Sequence, residues 1–468
     1  MARSVPVRGV IEGFYGPPWS RAARHAIVDF LGEHQMNAYV YAPKSDAKHR
    51  ERWREPYDAD EAAHFRALAE QGSATGVRFG FAISPGLDME YGGADDRRAL
   101  LAKLTPLLDD GVDWFVLALD DIPARPGLAA EQTGLCRWLV EELGGSVRLT
   151  LVPTEYVGTH PTPYLAELAD QLPAAVDVMW TGPTVCSPTI TAADARAWAT
   201  ALGGRPPLVW DNYPVNDASM ERSLHLGPYR GRDPDLADEV AGVLCNPMIQ
   251  PYSSMIALAT AADFLIDPDS YEPDQSWRRA VSAVGGGRAE PLAALAEACA
   301  HSPLSSPRDL ELHRLVDALE GAASADDTYV ARRALHDSLA EARAAREAWS
   351  EATDDPLGVE IAPWLAQLRR EADVGLAALR LLAALGPELD PQDAMLHAFA
   401  VVFGWDSLRR ANRVVFGPRF AVYAAVVQLR DGAPGVDPDL AVVEDGSAID
   451  RLCRIALAGY RNWVDERR

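Results

Sequence analysis

The stretch Trp114-Phe115-Val116-Leu117-Ala118-Leu119-Asp120-Asp121-Ile122-Pro123 begins as a strand and ends in two adjacent carboxylates. Its apolar run mixes aromatic and β-branched residues and follows the turn signal Asp110-Gly111, which reads as a buried strand. Pro123 cannot continue a central strand. An isolated Asp-Asp pair ordinarily serves as a helix cap or a loop acid, so its meaning rests on the surrounding chain.

Outward from that strand the same phrase repeats: an apolar strand, a Gly/Pro-containing or polar loop, then a segment of helical period. Strands are expected at Gly9–Phe14, Ala38–Tyr41, Phe79–Ile83, Trp114–Leu119, Val147–Val152, Asp177–Trp180, Leu208–Trp210 and Gly242–Cys245. Helices are expected between them at Arg21–His34, Asp60–Gln71, Arg97–Leu108, Glu131–Leu143, Tyr164–Leu172 and Ala192–Leu202, with Ser253–Leu265 closing the series. Eight strand-helix rounds predict an α/β fold, a (β/α)8 TIM-type barrel. A doubly wound sheet is the alternative, but no GxGxxG follows the first strand.

The phrase Asp267-Pro268-Asp269-Ser270-Tyr271-Glu272-Pro273 is turn-rich and predicts a boundary, with a catalytic barrel over 1–270 and an all-α region over 271–468. Helical spacing recurs at Pro291–His301, Asp309–Gly321, Asp327–Ala352, Ala362–Leu385, Pro391–Phe403, Pro418–Arg430 and Ile449–Glu466. Gly432–Asp445 reads as a polar loop. The helical region is a surface through which two copies could pair.

Of the 468 residues, 48% are hydrophobic and 24% charged, the balance of a soluble globular chain. No apolar run reaches membrane-span length, and Met1–Pro6 lacks a signal-peptide core, so a cytoplasmic protein is expected. The net charge of −24 argues against nucleic-acid and anionic-membrane partners. Cys136, Cys186, Cys245, Cys299 and Cys453 are scattered with no CxxC, as reduced thiols would be. Lysine occurs only at Lys44, Lys48 and Lys103; arginine fills every other basic position.

A barrel places its chemistry on the loops that follow the strands. Those positions hold carboxylates, amides, aromatics and Lys44, with no HExxH, GxSxG or P-loop. No metal and no cofactor are expected. Such a mouth suits a carbohydrate: aromatic faces pack on sugar C–H surfaces, and amides and acids bind hydroxyls. Glycosidases usually place two carboxylates on opposite sides of the anomeric carbon, which consecutive residues cannot easily do. Substrate assistance resolves this, with the sugar's 2-acetamido oxygen attacking while one Asp orients its N–H and the other protonates the leaving oxygen.

The motifs along these loops resemble the O-GlcNAcase family, glycoside hydrolase family 84. They include Gly9-Val10-Ile11-Glu12-Gly13-Phe14-Tyr15-Gly16, Tyr41-Ala42-Pro43-Lys44 with His49-Arg50, and Ser84-Pro85-Gly86-Leu87-Asp88. Asp120-Asp121-Ile122, Pro153-Thr154-Glu155-Tyr156, Trp180-Thr181-Gly182-Pro183, Trp210-Asp211-Asn212, Asn216-Asp217 and Asn246-Pro247 continue the match in order. The resemblance implies a retaining β-N-acetylglucosaminidase acting through an oxazoline, on terminal GlcNAc of a glycoprotein or glycan. It implies that Asp120 orients the acetamido group and Asp121 is the general acid and base, with Tyr156 and Asn212 supporting the oxazoline-forming oxygen and the Asp pair. Gly13, Tyr15, Lys44, Asp217 and Asn246 would then bind the sugar, and Val152, Thr181, Val185 and Trp210 would wall the N-acetyl pocket. Val152 departs from the cysteine of the family pattern, and Ser45 from an aspartate, which bears on pocket fit. A hyaluronidase-like polysaccharide hydrolase and a sugar-binding pseudoenzyme are the alternatives.

Overall fold

Eight parallel strands hydrogen-bond in sequence order and close on themselves. The computed structural model describes residues 3–304, 310–350, 354–410, 427–430, 433–436 and 447–467. The strands are β1 (Val7–Glu12), β2 (Ala38–Tyr41), β3 (Arg78–Ile83), β4 (Trp114–Ala118), β5 (Arg148–Val152), β6 (Val176–Trp180), β7 (Leu208–Asp211) and β8 (Gly242–Cys245). Closure is made by β1 against β8, with Val7 opposite Gly242 and Val10 opposite Cys245. Helices α1 (Arg21–Glu33), α2 (Ala59–Thr75), α3 (Ala94–Asp109), α4 (Leu128–Leu143), α5 (Pro163–Gln171), α6 (Ala192–Ala201) and α7 (Pro251–Ile266) alternate with them. The (β/α)8 barrel expected from the alternation is present.

The strand bodies are almost wholly buried because side chains on both faces are covered, inward ones by each other and outward ones by helices. Ile11, Val40, Ala82, Val116, Met179 and Leu244 fill the interior. Trp114 is also buried there, and its indole N–H donates to Thr150 Oγ1 at 2.9 Å. Local sequence sets the helix starts: Ser20 caps α1, while Asp58 with Glu61 and Thr191 with Asp194 form reciprocal capping boxes on α2 and α6.

The chain divides into two compact units, Met1–Glu221 with Pro228–Ala280 and Arg222–Gly227 with Val281–Arg468. The expected boundary at 270 therefore lies ten residues early. The turn at 267–273 does not end the unit, because α8 (Pro273–Gly285) starts at once and Ser276 Oγ donates to Asp263 of α7 at 2.7 Å. The second unit is helical, comprising α9 (Ala289–Ala298), α10 (Glu311–Glu320), α11 (Ala325–Ala348), α12 (Pro356–Ala384), α13 (Pro391–Arg410) and α14 (Ala448–Asp465). Helix α12 packs against α11, α13 and α14. It begins six residues before the expected Ala362 because Pro356 occupies its first turn behind the Asp355 cap, where a missing N–H costs nothing.

One correction falls in this unit. Strands β9 (Val427–Arg430) and β10 (Ala433–Val436) pair antiparallel where the sequence reading placed a helix end and a loop. The rest of the expected helix at Pro418–Arg430 and of the loop at Gly432–Asp445 lies outside the described residues. Among the described residues no helix is long and apolar enough to cross a membrane.

Candidate active site

The strand that carries Asp120 stops at Ala118, and the two aspartates leave it in different directions. Asp120 is buried, 6% exposed, and its Oδ2 accepts from Lys44 Nζ at 2.5 Å. Lys44 is itself buried just past β2, so the pair is shielded from water and its mutual attraction is strong. The other oxygen of Asp120, Oδ1, is buried without a hydrogen-bond partner. A buried carboxylate oxygen without a donor is costly to keep unless something arrives to fill it.

Asp121 turns outward. Its backbone φ is +54°, in the left-handed region, which swings its side chain away from the strand direction. Both its oxygens are taken by phenols: Tyr15 donates to Oδ2 at 2.7 Å and Tyr156 to Oδ1 at 2.9 Å. Partial desolvation pushes this carboxyl up, but the Tyr15 bond, the Lys44 charge, the Tyr156 bond and the Arg50 charge together hold it below the ordinary range. Loss of water and the Asp121 charge raise both phenols well above their usual range, so both remain donors at neutral pH.

The remaining expected residues assemble around this pair. Gly13 N–H donates to Asn246 Oδ1 at 3.2 Å, and a side chain at Gly13 would meet the Trp210 ring at 2.2 Å, so only glycine fits. Asp217 Oδ2 accepts the Tyr15 backbone N–H at 2.7 Å, fixing the loop after β1; burial raises the Asp217 carboxyl. Lys44 Nζ lies 5.6 Å from the Trp210 ring centre. Val152, Thr181 and Trp210 are buried, and Tyr156 packs on the cluster containing Val152 and Trp210. Thr181 N–H bonds Tyr156 O at 3.0 Å, so the loops after β5 and β6 are tied together.

Asn212 does not reach the aspartates: its Oδ1 accepts from Trp210 Nε1 at 3.0 Å and Asn246 Nδ2 at 2.9 Å, while its Nδ2 donates to Val185 O at 2.7 Å. It braces Trp210, Asn246 and the backbone at Val185. Val185 is 48% exposed, on the rim, because its backbone is held by Asn212 while its side chain faces out.

Arg50 was not assigned a role from sequence, yet its guanidinium donates to Ser84 Oγ at 3.1 Å and to Asp121 O at 3.4 Å. Its place in the His49-Arg50 motif was the available signal. Glu12 and Asp211, also within motifs, are structural: each is buried in a bidentate pair, with Arg24 and Arg232. Among the described residues no group of three or more His, Cys, Asp or Glu could hold a metal ion.

Comparison with known proteins agrees with this geometry. The NAGidase family profile, described as beta-N-acetylglucosaminidase, matches residues 8–297, more than half the chain. The chain belongs to the β-N-acetylglucosaminidase family. Rat and mouse Protein O-GlcNAcase are each 34% identical over 269 residues, 54% of this chain and 29% of theirs. The match thus spans less than a third of those curated relatives. A mutant of the Thermobaculum terrenum O-GlcNAc hydrolase superposes with a TM-score of 0.78 at 29% identity, covering 99% of this chain and 94% of that one. The structure of CpGH84B gives 0.80 at 31%, covering 88% and 76%. Family membership and the two-part architecture therefore agree, a glycoside-hydrolase barrel with a helical region after it.

Proposed function

We propose that this β-N-acetylglucosaminidase-family chain is a retaining hydrolase that removes β-linked GlcNAc from Ser or Thr of polypeptides by substrate-assisted catalysis. The observation that carries the proposal is the divided state of Asp120. Lys44 occupies one oxygen, and the buried, partnerless Oδ1 suits the N–H of a 2-acetamido group. That bond turns the acetamido oxygen toward the anomeric carbon and stabilises positive charge as it attacks. The glycosidic C–O bond breaks as an oxazoline forms, and the leaving oxygen takes the Asp121 proton. Asp121 then takes a proton from water, whose oxygen attacks the anomeric carbon and reopens the ring. Two inversions give net retention.

In the free protein Asp121 is held ionised by two phenols, whereas its first task needs a proton. The arriving leaving oxygen therefore displaces Tyr15 or Tyr156, and losing that donor raises the carboxyl toward the range of an acid.

Two features favour a polypeptide leaving group over a polysaccharide. Among the described residues of the barrel unit, the exposed large hydrophobics are Tyr15, Leu87, Val157 and Val185, all on loops after β1, β3, β5 and β6. Aliphatic side chains at a mouth match apolar side chains flanking a modified residue. The net charge of −24 would repel a polyanionic glycan such as hyaluronan. Five unpaired cysteines suit a cytoplasmic setting. The test compares aryl β-GlcNAc with aryl β-glucoside, which lacks the internal nucleophile. Turnover of the first alone, with β-GlcNAc seen first by NMR, supports the proposal; comparable rates or initial α product sink it.

A further inference from the structure

All three lysines meet one loop, residues 42–58 between β2 and α2. Lys44 and Arg50 reach from it to the catalytic pair, and Lys48 ties it to Glu61 of α2 at 2.6 Å. Lys103 comes from outside, on α3, and is 4% exposed. Its ammonium donates to three main-chain carbonyls of the loop, Lys48 O at 2.6 Å, Trp53 O at 2.8 Å and Glu55 O at 2.5 Å, and lies 4.6 Å from the Tyr57 ring centre.

We propose that Lys103 is a positioning residue for the hydrolysis: by gathering the carbonyls of residues 48, 53 and 55 onto one ammonium, it sets the loop path that delivers Lys44 to Asp120 and Arg50 to the Asp121 carbonyl. An ammonium fits because its three N–H bonds fan tetrahedrally onto three converging acceptors, whereas a guanidinium is a flat, wider fork. That accounts for a lysine here in a chain that uses arginine at every basic position except Lys44, Lys48 and this one. The inference rests on the proposed hydrolysis for its kinetic consequence, though not for its structural one.

The clamp also has a pH limit. Burial lowers the Lys103 ammonium, and neighbouring Lys48 does so too; Asp46, Glu55 and Glu61 oppose them, leaving it at about 8. His49 on the same loop is held neutral by burial, with Lys44, Arg50 and Lys103 adding to the effect. Above about pH 8 the amine keeps two N–H donors and turns a lone pair on the third carbonyl, so one tether is lost.

The experiment measures kcat/KM against pH for dinitrophenyl β-GlcNAc, whose leaving group needs no proton, so Asp121 does not set the alkaline limb. The wild-type chain should show a limb near pH 8 that is absent from Lys103→Met and Lys103→Arg. Both variants should lose activity mainly in kcat, Lys103→Met by about a hundredfold, the cost of a ~1 Å misplacement in an active site. A wild type with no such limb, a limb retained in either variant, or rates that follow only the folded fraction would each overturn the proposal. Should neither variant fold, hydrogen exchange on the wild type decides. Protection over residues 43–58, corrected for intrinsic rate, should fall between about pH 7 and about pH 9 as the ammonium titrates, while β5 stays protected. Unchanged protection refutes the clamp. A wild type that exchanges as expected but hydrolyses no GlcNAc glycoside refutes the proposed function instead.

Discussion

Replacing Tyr15 by Phe removes one of the two phenols that hold Asp121 ionised and leaves the desolvation that opposes them. A hydrogen bond to a charged group contributes about 1.5–3 kcal/mol when buried. Asp121 is exposed, so the low end applies, about 1.5 kcal/mol, which is about one pK unit. The sign is fixed: losing a donor to the carboxylate raises its pKa. With a poor leaving group, kcat/KM follows the protonated fraction of Asp121 in the free enzyme, so its alkaline limb should move up by about one unit. Tyr156→Phe should act likewise, because it bonds the other oxygen at similar length. The assay is a kcat/KM–pH series on an O-GlcNAc serine peptide, with dinitrophenyl β-GlcNAc as the control in which this limb is absent. The position of the limb, not the height of the plateau, is the reading, since on the proposed function Tyr15 would also border the bound sugar. A limb that stays put or moves to lower pH would falsify the assignment of Asp121 as the acid.

Further outcomes follow from the same geometry. Lys44→Met leaves Asp120 buried without its cation, so unfolding free energy should drop by about 3–5 kcal/mol at neutral pH. Denaturant titrations of the wild type and the variant at neutral pH check this. Asp121→Asn should lose far more activity on an O-linked serine than on a dinitrophenyl glycoside, while Asp120→Asn should not be rescued by the better leaving group; a reversed pattern would exchange the two roles. Gly13→Ala puts a methyl 2.2 Å from the Trp210 ring and should raise KM or prevent folding, measured by kinetics beside circular dichroism.

The barrel was legible because each strand is a short apolar run closed by turn residues, and each start and stop falls within a few residues of its expected place. Helix α8 was missed because Asp267–Pro273 carries every sign of a break, while Ser276, which ties the next helix back to α7, looks like linker. In the site, residue types and strand-end positions were readable; pairings across the barrel were not. No spacing says that Tyr15 and Asp121, 106 residues apart, share a hydrogen bond. Nor does it say that Asn212 spends its amide on Trp210, Asn246 and Val185 rather than on the acids. Those outcomes depend on the register of strands around a closed sheet, which only the three-dimensional arrangement supplies.

The left-handed backbone of Asp121 bears on the making of a substrate trap from this protein. Most L-residues pay about 1–2 kcal/mol to occupy that conformation, but Asn shares the tolerance of Asp. An alanine at 121 would therefore tilt the loop as well as delete the acid, and the sugar cleft of such a protein would be reshaped. Asparagine keeps the chain in place and keeps an oxygen for one of the phenols, so Asp121→Asn is the form to immobilise when testing whether glycosylated polypeptides are held without release.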